Sequence, residues 1–204
     1  VSMELGGHAP VIVWSDVDME RVARAAALVK YRNAGQVCIS PTRFFVHVDV
    51  VDGFVDAFAA AAEEIVVGDG RDPATMMGPL ASSRRLDEVE CLINDAVDNY
   101  GARLVTGGKR LSSLGPGHFF APTVLTDVPA LAPISSAEPF GPVALINPIE
   151  SIEDALDRAN STDYGLAAYV FTKDLTRSRR LTDGLEAGIV GLNSFAVSTP
   201  VAPF

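Results

Sequence analysis

The segment Ala9-Pro10-Val11-Ile12-Val13-Trp14 decides the fold class. It is a short, continuous apolar run after a glycine pair, which reads as a buried strand. Asp16 and Asp18 follow as helix N-caps, and Val22, Ala25, Ala26 and Val29 recur at helical spacing, so a helix carries the chain toward Asn33. Phe44, Val46 and Val48 then fall on one side of a second strand.

The same alternation continues downstream. Phe54, Phe58, Ala61, Ala62 and Ile65 share one helical face, and Leu86, Val89, Ile93, Ala96, Val97 and Tyr100 share another, with Gly101 as its stop. Between them, Gly68-Asp69-Gly70-Arg71-Asp72-Pro73 begins like a dinucleotide fingerprint. It carries Pro73 where a third glycine belongs and follows a helix, so it reads as a turn. Arg103–Thr106, the extended stretch Phe119–Val128, Val143–Ile149, Ala167–Thr172 and Ile189–Asn193 read as further strands. Ser151 with Asp154 resembles a capping box before one helix. Asp174 caps the last, which runs through Leu175, Leu181 and Leu185 to a stop at Gly188. Nearly all-apolar strands alternating with helices indicate an α/β fold: one domain, three α/β/α layers, a largely parallel sheet. In such folds ligands are expected at the carboxyl ends of the strands.

Composition narrows the function. Hydrophobic residues make up 48% of the 204, enough for a large core, and the net charge of −10 argues against nucleic acid or an anionic membrane as partner. No apolar run reaches membrane-spanning length. Two cysteines in a chain of this length make no disulfide framework, which points to a reducing, cytoplasmic setting.

Three stretches carry chemistry-bearing residues. Glu4-Leu5-Gly6-Gly7 puts a carboxylate before a glycine pair that permits close approach to another backbone. Tyr31-Arg32-Asn33-Ala34-Gly35-Gln36-Val37-Cys38-Ile39-Ser40 puts a thiol at a helix-to-strand junction, where a nucleophile is accessible. Glu138-Pro139-Phe140-Gly141-Pro142-Val143 holds a carboxylate and an aromatic ring on a stiff loop. Taken singly, Cys38 reads as a small buried hydrophobe, Glu138 as a solvated carboxylate and Phe140 as a core anchor. Cys91, on the polar side of its helix, has no role assigned, and no residues are singled out as metal ligands.

Together the three stretches, in this order, resemble the aldehyde dehydrogenase superfamily: its general-base, nucleophile and cofactor-contact signatures in turn. The separation of Glu4 from Cys38 (38 − 4 = 34) is also the family's usual one. Gly78-Pro79-Leu80 and Pro203-Phe204 look like further landmarks. The resemblance implies that residues 1–204 are the catalytic domain of a longer enzyme, preceded by a cofactor-binding domain and followed by a tail, both outside this chain. It implies NAD- or NADP-dependent oxidation of an aldehyde to an acid, with Cys38 as nucleophile and Glu4 as the base that activates water. A carboxylate suits that task where partial burial raises its pKa toward neutrality. Glu138 and Phe140 would contact the nicotinamide end of the cofactor. The complete enzyme is expected as a homodimer or homotetramer, and the isolated chain as inactive.

Arg32, six positions before Cys38, is similar to the arginine that binds the far carboxylate in succinate-semialdehyde dehydrogenases, and Ser198 and Thr199 fall where that group places a hydroxyl contact. Arg32 reads equally as a solvated cation favoured by the helix dipole. Ile39-Ser40-Pro41-Thr42 departs from that group's cysteine-containing continuation, so a neighbouring semialdehyde stays open as substrate. Two other readings compete: a cofactor-independent cysteine hydrolase or acyl-transfer enzyme using Cys38 and Glu4, and a non-catalytic domain of the same fold.

Overall fold

The structure is a computed structural model and describes residues 3–198. Its elements run β1 (Ala9–Val13), α1 (Met19–Tyr31), β2 (Pro41–His47), α2 (Val51–Glu63), α3 (Ser83–Asp98), β3 (Arg103–Thr106), β4 (Thr123–Thr126), the short α4 (Pro133–Ser136), β5 (Val143–Ile149), α5 (Ile152–Ala159), β6 (Ala167–Phe171), α6 (Leu175–Gly184) and β7 (Ile189–Leu192). The strands form one seven-stranded sheet in the order β3-β4-β5-β2-β1-β6-β7. Every neighbouring pair is parallel except β3 with β4, an antiparallel edge.

The period of two along each strand sorts side chains to the two faces. Val11, Val13, Phe44, Val46, Tyr169 and Phe171 pack toward α1, α2 and α3. Ile12, Phe45, Ala168 and Val170 pack on the opposite face with α5 and α6. The expected three-layer arrangement, with β1, β2 and β6 buried on both sides, is therefore present.

Several local expectations shift. Asp18 caps α1 by accepting the Arg21 N–H, whereas Asp16 accepts from the Thr172 hydroxyl and the Lys173 and Asp174 N–H groups and so ties the end of β1 to the β6–α6 turn. The buried face of α1 is Ala23, Ala26, Ala27, Lys30 and Tyr31; Ala25 is exposed. Alanine packs on either side at little cost, so the apolar pattern there is ambiguous. Val48 lies beyond β2 and is exposed. Within Phe119–Val128 only Thr123–Thr126 pairs as β4. Ser151 does accept the Asp154 N–H, but the Asp154 carboxylate returns to Glu150 rather than to Ser151. The last helix ends at Gly184, where the chain turns extended at Leu185, and Leu175 at its start is 85% exposed. Asp174 caps it as read.

No helix among the described residues is long and apolar enough to cross a membrane. Arg43 and His8 stitch the back of the sheet. Arg43 is buried and donates to the carbonyls of His8, Arg158 and Ala159. The buried His8 ring bonds the Ile134 carbonyl through Nε2 and leaves Nδ1 without a partner. Burial, with the Arg43 charge second, holds its pKa down to about 3 from an ordinary 6.5. Below 6.5 the unfolded chain therefore binds a proton that the folded chain refuses. The stability present above 6.5 is lost as pH falls toward about 3, at up to about 1.4 kcal/mol per pH unit. Urea unfolding across that range is expected to show this slope, and His8→Asn is expected to flatten it. An equal slope in the variant would remove His8 as its cause.

Candidate active site

The three chemistry-bearing stretches meet because of strand register. In parallel pairing Ala9 lies opposite Pro41, and Arg43 lies opposite Leu145. Counting back to the strand starts brings Gly7, Cys38 and Gly141 to one end of the sheet. That end is the amino end of β1, β2 and β5, not the carboxyl end that open α/β sheets favour. Each functional stretch here runs into its strand rather than out of it.

Backbone packing at this end is tight enough to exclude side chains. A Cβ on Gly7 would lie 2.1 Å from the Cys38 carbonyl oxygen, and one on Gly35 would lie 2.1 Å from the Gly141 carbonyl oxygen. The Gly7 N–H donates to Glu138 Oε1 at 2.8 Å, and a Cβ on Gly6 would touch Glu138 Oε2. The described residues give that second oxygen no hydrogen-bond donor.

The cysteine loop has an unusual backbone. Asn33, Ala34 and Gly35 are consecutive residues with φ of 53°, 54° and 72°. Three left-handed residues in a row are costly for non-glycine side chains, most clearly for the buried Ala34. Local bonds hold the run: Asn33 Nδ2 donates to the Gln36 carbonyl, and the Gln36 N–H and Nε2 both donate to the Asn33 carbonyl. Gln36 Oε1 accepts the Ala81 N–H, so the segment after Gly78-Pro79-Leu80 braces the loop. Past the cysteine, the Ser40 N–H returns to the Val37 carbonyl and the Tyr169 hydroxyl donates to the Ile39 carbonyl at 2.7 Å. No backbone carbonyl among the described residues takes the Cys38 N–H.

Cys38 itself is half-buried, and Cys91 is exposed. A cavity of about 360 Å³ opens beside the loop, walled by Val29, Val37, Ile39 and Phe195. Its polar lining is Arg32, Ser40, Tyr169 and Ser194. Arg32 is exposed on that lining, so it is available to an anion in the cavity. Phe140 sits at φ 44° with its ring under the Arg85 guanidinium, 5.9 Å from the ring centre.

Of the residues proposed from sequence, the fold brings the Glu4 stretch, the Cys38 loop and Glu138 together through Gly6, Gly7 and Gly35. Glu4 is exposed, so the partial burial expected of it is not found. Ser198 is exposed and does not line the cavity, and Thr199, like Pro203-Phe204, lies outside the described residues. Ser194, Phe195 and Tyr169 were not singled out from sequence. Their signal is weak, because they reach the site only when β6 and β7 pack beside β1. Two of the histidines are engaged elsewhere: His8 is committed to Ile134, and His47 lies at the far end of β2 with Asp49. Among the described residues no cluster of His, Cys, Asp and Glu could hold a metal ion.

Comparison with known proteins adds three findings. The model of the aldehyde dehydrogenase family matches residues 1–204. The chain is 46% identical to the putative 4-(hydroxymethyl)benzenesulfonate dehydrogenase TsaD2 of Comamonas testosteroni over 207 residues, and 43% identical to the succinate-semialdehyde dehydrogenase [NADP(+)] GabD of Escherichia coli K12 over 204 residues. In each case all of this chain matches 42% of the relative, so it spans less than half of their length. The crystal structure of succinate-semialdehyde dehydrogenase from Burkholderia pseudomallei superposes with a TM-score of 0.94 at 43% identity, covering 100% of this chain and 42% of that one.

The glycine contacts carry a direct test. Gly35→Ala forces a left-handed alanine against the Gly141 carbonyl and is expected to cost about 3 kcal/mol, read as a lowered urea midpoint. Gly101→Ala, whose added Cβ meets nothing within 4 Å, is expected to cost about 1 kcal/mol.

Proposed function

Because this chain belongs to the aldehyde dehydrogenase family, we propose that it is the catalytic domain of an NAD- or NADP-dependent dehydrogenase of anionic semialdehydes, with Cys38 as its nucleophile. The observation that carries the reading is the convergence of the Cys38 loop, the Glu4-Leu5-Gly6-Gly7 stretch and Glu138 at one sheet end, held by Gly7 and Gly35. The cofactor-binding domain that completes such an enzyme would precede residue 1. Its complete form is proposed as a homodimer or homotetramer.

The Cys38 sulfur, as thiolate, adds to the aldehyde carbon and forms a tetrahedral thiohemiacetal. The Cys38 N–H, which no backbone carbonyl among the described residues takes, donates to the developing oxyanion. A nicotinamide cofactor, held at Glu138 and Phe140, would supply the hydride acceptor that this oxidation needs, and the acyl group would then remain on the Cys38 sulfur as a thioester. Glu4 then deprotonates the water that hydrolyses it. In the described residues Glu4 is exposed, so the neighbouring domain or the substrate must supply the burial that a base near neutrality requires. Glu138 fits a cofactor contact: it is half-buried, and Oε2 is left for a hydroxyl while Oε1 holds Gly7. Phe140, held at a φ of 44° on the same loop, would pack beside the same end of the cofactor.

The cavity supports a substrate class. Among the described residues its walls are apolar and the cation on its lining is Arg32. Two relatives are named for compounds with a fixed anion, a carboxylate in succinate semialdehyde and a sulfonate in 4-(hydroxymethyl)benzenesulfonate. A guanidinium fork serves either group.

In the full-length enzyme Cys38→Ala is expected to abolish NAD(P)-dependent turnover; normal turnover would overturn the assignment. Arg32→Ala is expected to raise KM for succinate semialdehyde roughly 30-fold and to change KM for a neutral aldehyde less than about threefold. Equal loss on both substrates would remove the anion-binding role.

A further inference from the structure

Tyr169 lies in the middle of β6, between Val11 of β1 and Gly191 of β7, and is 1% exposed. Its strand, Ala167-Ala168-Tyr169-Val170-Phe171, is otherwise apolar, so a phenylalanine would fill the position without a hydroxyl to satisfy. The ring is held from two sides. A Cβ on Gly191 would lie 2.9 Å from Tyr169 Cδ1, so glycine there leaves the ring its room. The ring of Phe195 packs against it with centroids 5.2 Å apart. Asn193, at φ 53°, turns the chain back over β6 and so places Phe195; its amide pairs with both the N–H and the carbonyl of Thr172.

A buried tyrosine bonded to a carbonyl is ordinary, and Tyr31 does the same with Thr123 at 2.9 Å. Tyr169 differs in the carbonyl it takes. Its hydroxyl donates to Ile39 at 2.7 Å, across 130 residues of chain. No other donor among the described residues reaches that oxygen. Burial pushes the hydroxyl's pKa up, so it keeps its proton.

The Ile39 carbonyl and the Ser40 N–H belong to one planar peptide unit and point opposite ways. The Ser40 N–H donates to the Val37 carbonyl at 2.9 Å, closing a turn with Cys38 and Ile39 as its central residues. The Val37 carbonyl shares its own peptide unit with the Cys38 N–H, which again points the other way. Two linked peptides therefore run from the Tyr169 hydroxyl to the N–H assigned to the oxyanion. Ser40 is also tied to the buried Lys30, whose Nζ donates to Ser40 Oγ at 3.2 Å, but that bond is made to the hydroxyl and not to the peptide.

We propose that Tyr169 is a positioning residue for the oxyanion: its hydroxyl fixes the Ile39–Ser40 peptide, that peptide fixes the Val37–Cys38 peptide, and the Cys38 N–H is thereby aimed at the point where the aldehyde oxygen becomes negative. This rests on the roles given above to the Cys38 sulfur and N–H. Hydrogen bonds in such a chain also polarise one another, so the hydroxyl makes the last donor stronger as well as steadier. The developing oxyanion gains most and the neutral aldehyde little, so the effect falls on the rate of chemistry rather than on substrate binding.

The test uses the full-length enzyme with succinate semialdehyde and its preferred nicotinamide cofactor. In a single turnover, Tyr169→Phe is expected to slow nicotinamide reduction roughly tenfold and to leave the half-saturating aldehyde concentration within about twofold. Iodoacetamide alkylates the Cys38 sulfur without forming an oxyanion, so its rate, followed by mass at Cys38, is expected to stay within about threefold of wild type. Reduction within about twofold of the wild-type rate, or alkylation slowed as much as reduction, means an ordinary packing residue and overturns the proposal. Replacing Tyr169 by 4-aminophenylalanine keeps a donor at the same place on a ring of the same size and is expected to restore reduction to within about threefold of wild type. A rate no better than that of Tyr169→Phe means that donation to Ile39 does nothing, and the proposal fails. Turnover that survives Cys38→Ala would instead strike the catalytic reading itself, so the two failures are distinguishable.

Discussion

Two backbone contacts organise this molecule: Gly7 against the Cys38 carbonyl, and Gly35 against the Gly141 carbonyl. Neither has room for a side chain. Together they bring the three functional stretches within reach of one another before any catalytic side chain is considered. The left-handed run Asn33-Ala34-Gly35 is the conformational cost of the second contact, and the bonds between Asn33 and Gln36 offset part of it. Strain concentrated at one loop, with the surrounding packing holding it, is the usual mark of a functional segment.

The direction of the chain through the site follows from this arrangement. In many open α/β sheets ligands gather where strands end. Here the residues that matter sit where β1, β2 and β5 begin. The chain leaves α1, turns through the strained loop and enters β2 within a few residues. Cys38 is therefore placed by a short, heavily bonded segment rather than by a long loop. The parallel register then aligns neighbouring strand starts: Ala9 pairs with Pro41, and just upstream of both Gly7 lies against the Cys38 carbonyl.

Charge is distributed unevenly between surface and interior. The chain is acidic overall, with a net charge of −10, yet its most deeply buried ionisable groups include two cations, Lys30 and Arg43. They do different work. Arg43 spends its guanidinium on the carbonyls of His8, Arg158 and Ala159 and binds the back of the sheet to α5. Lys30 faces the cysteine loop. Arg32, two residues further on, is exposed to the cavity. Lys30, Arg32 and Arg43 thus have different environments, set by burial and by the partners each one meets.

Much of this was legible in the chain itself. The apolar run at Ala9–Trp14, the period of α2 and α3, and the caps at Asp18, Ser151 and Asp174 are local features, and local features survive in sequence because neighbouring residues enforce them. The three motifs were also readable, since their residue types and spacing are specific. The extent of α1's buried face was not, because alanines mark no preferred side. Nor could the burial of Lys30 be read: a lysine near a helix end reads as solvated until the packing of α1 against β2 buries it. The cavity lining from Tyr169, Ser194 and Phe195, and the exposure of Glu4, likewise depend on strands far apart in the chain. Sequence by itself determined the elements and the chemical groups on offer. Only the tertiary structure decided which groups meet and which are removed from water, because register and burial are set by contacts between segments more than a hundred residues apart, such as Gly7 and Glu138.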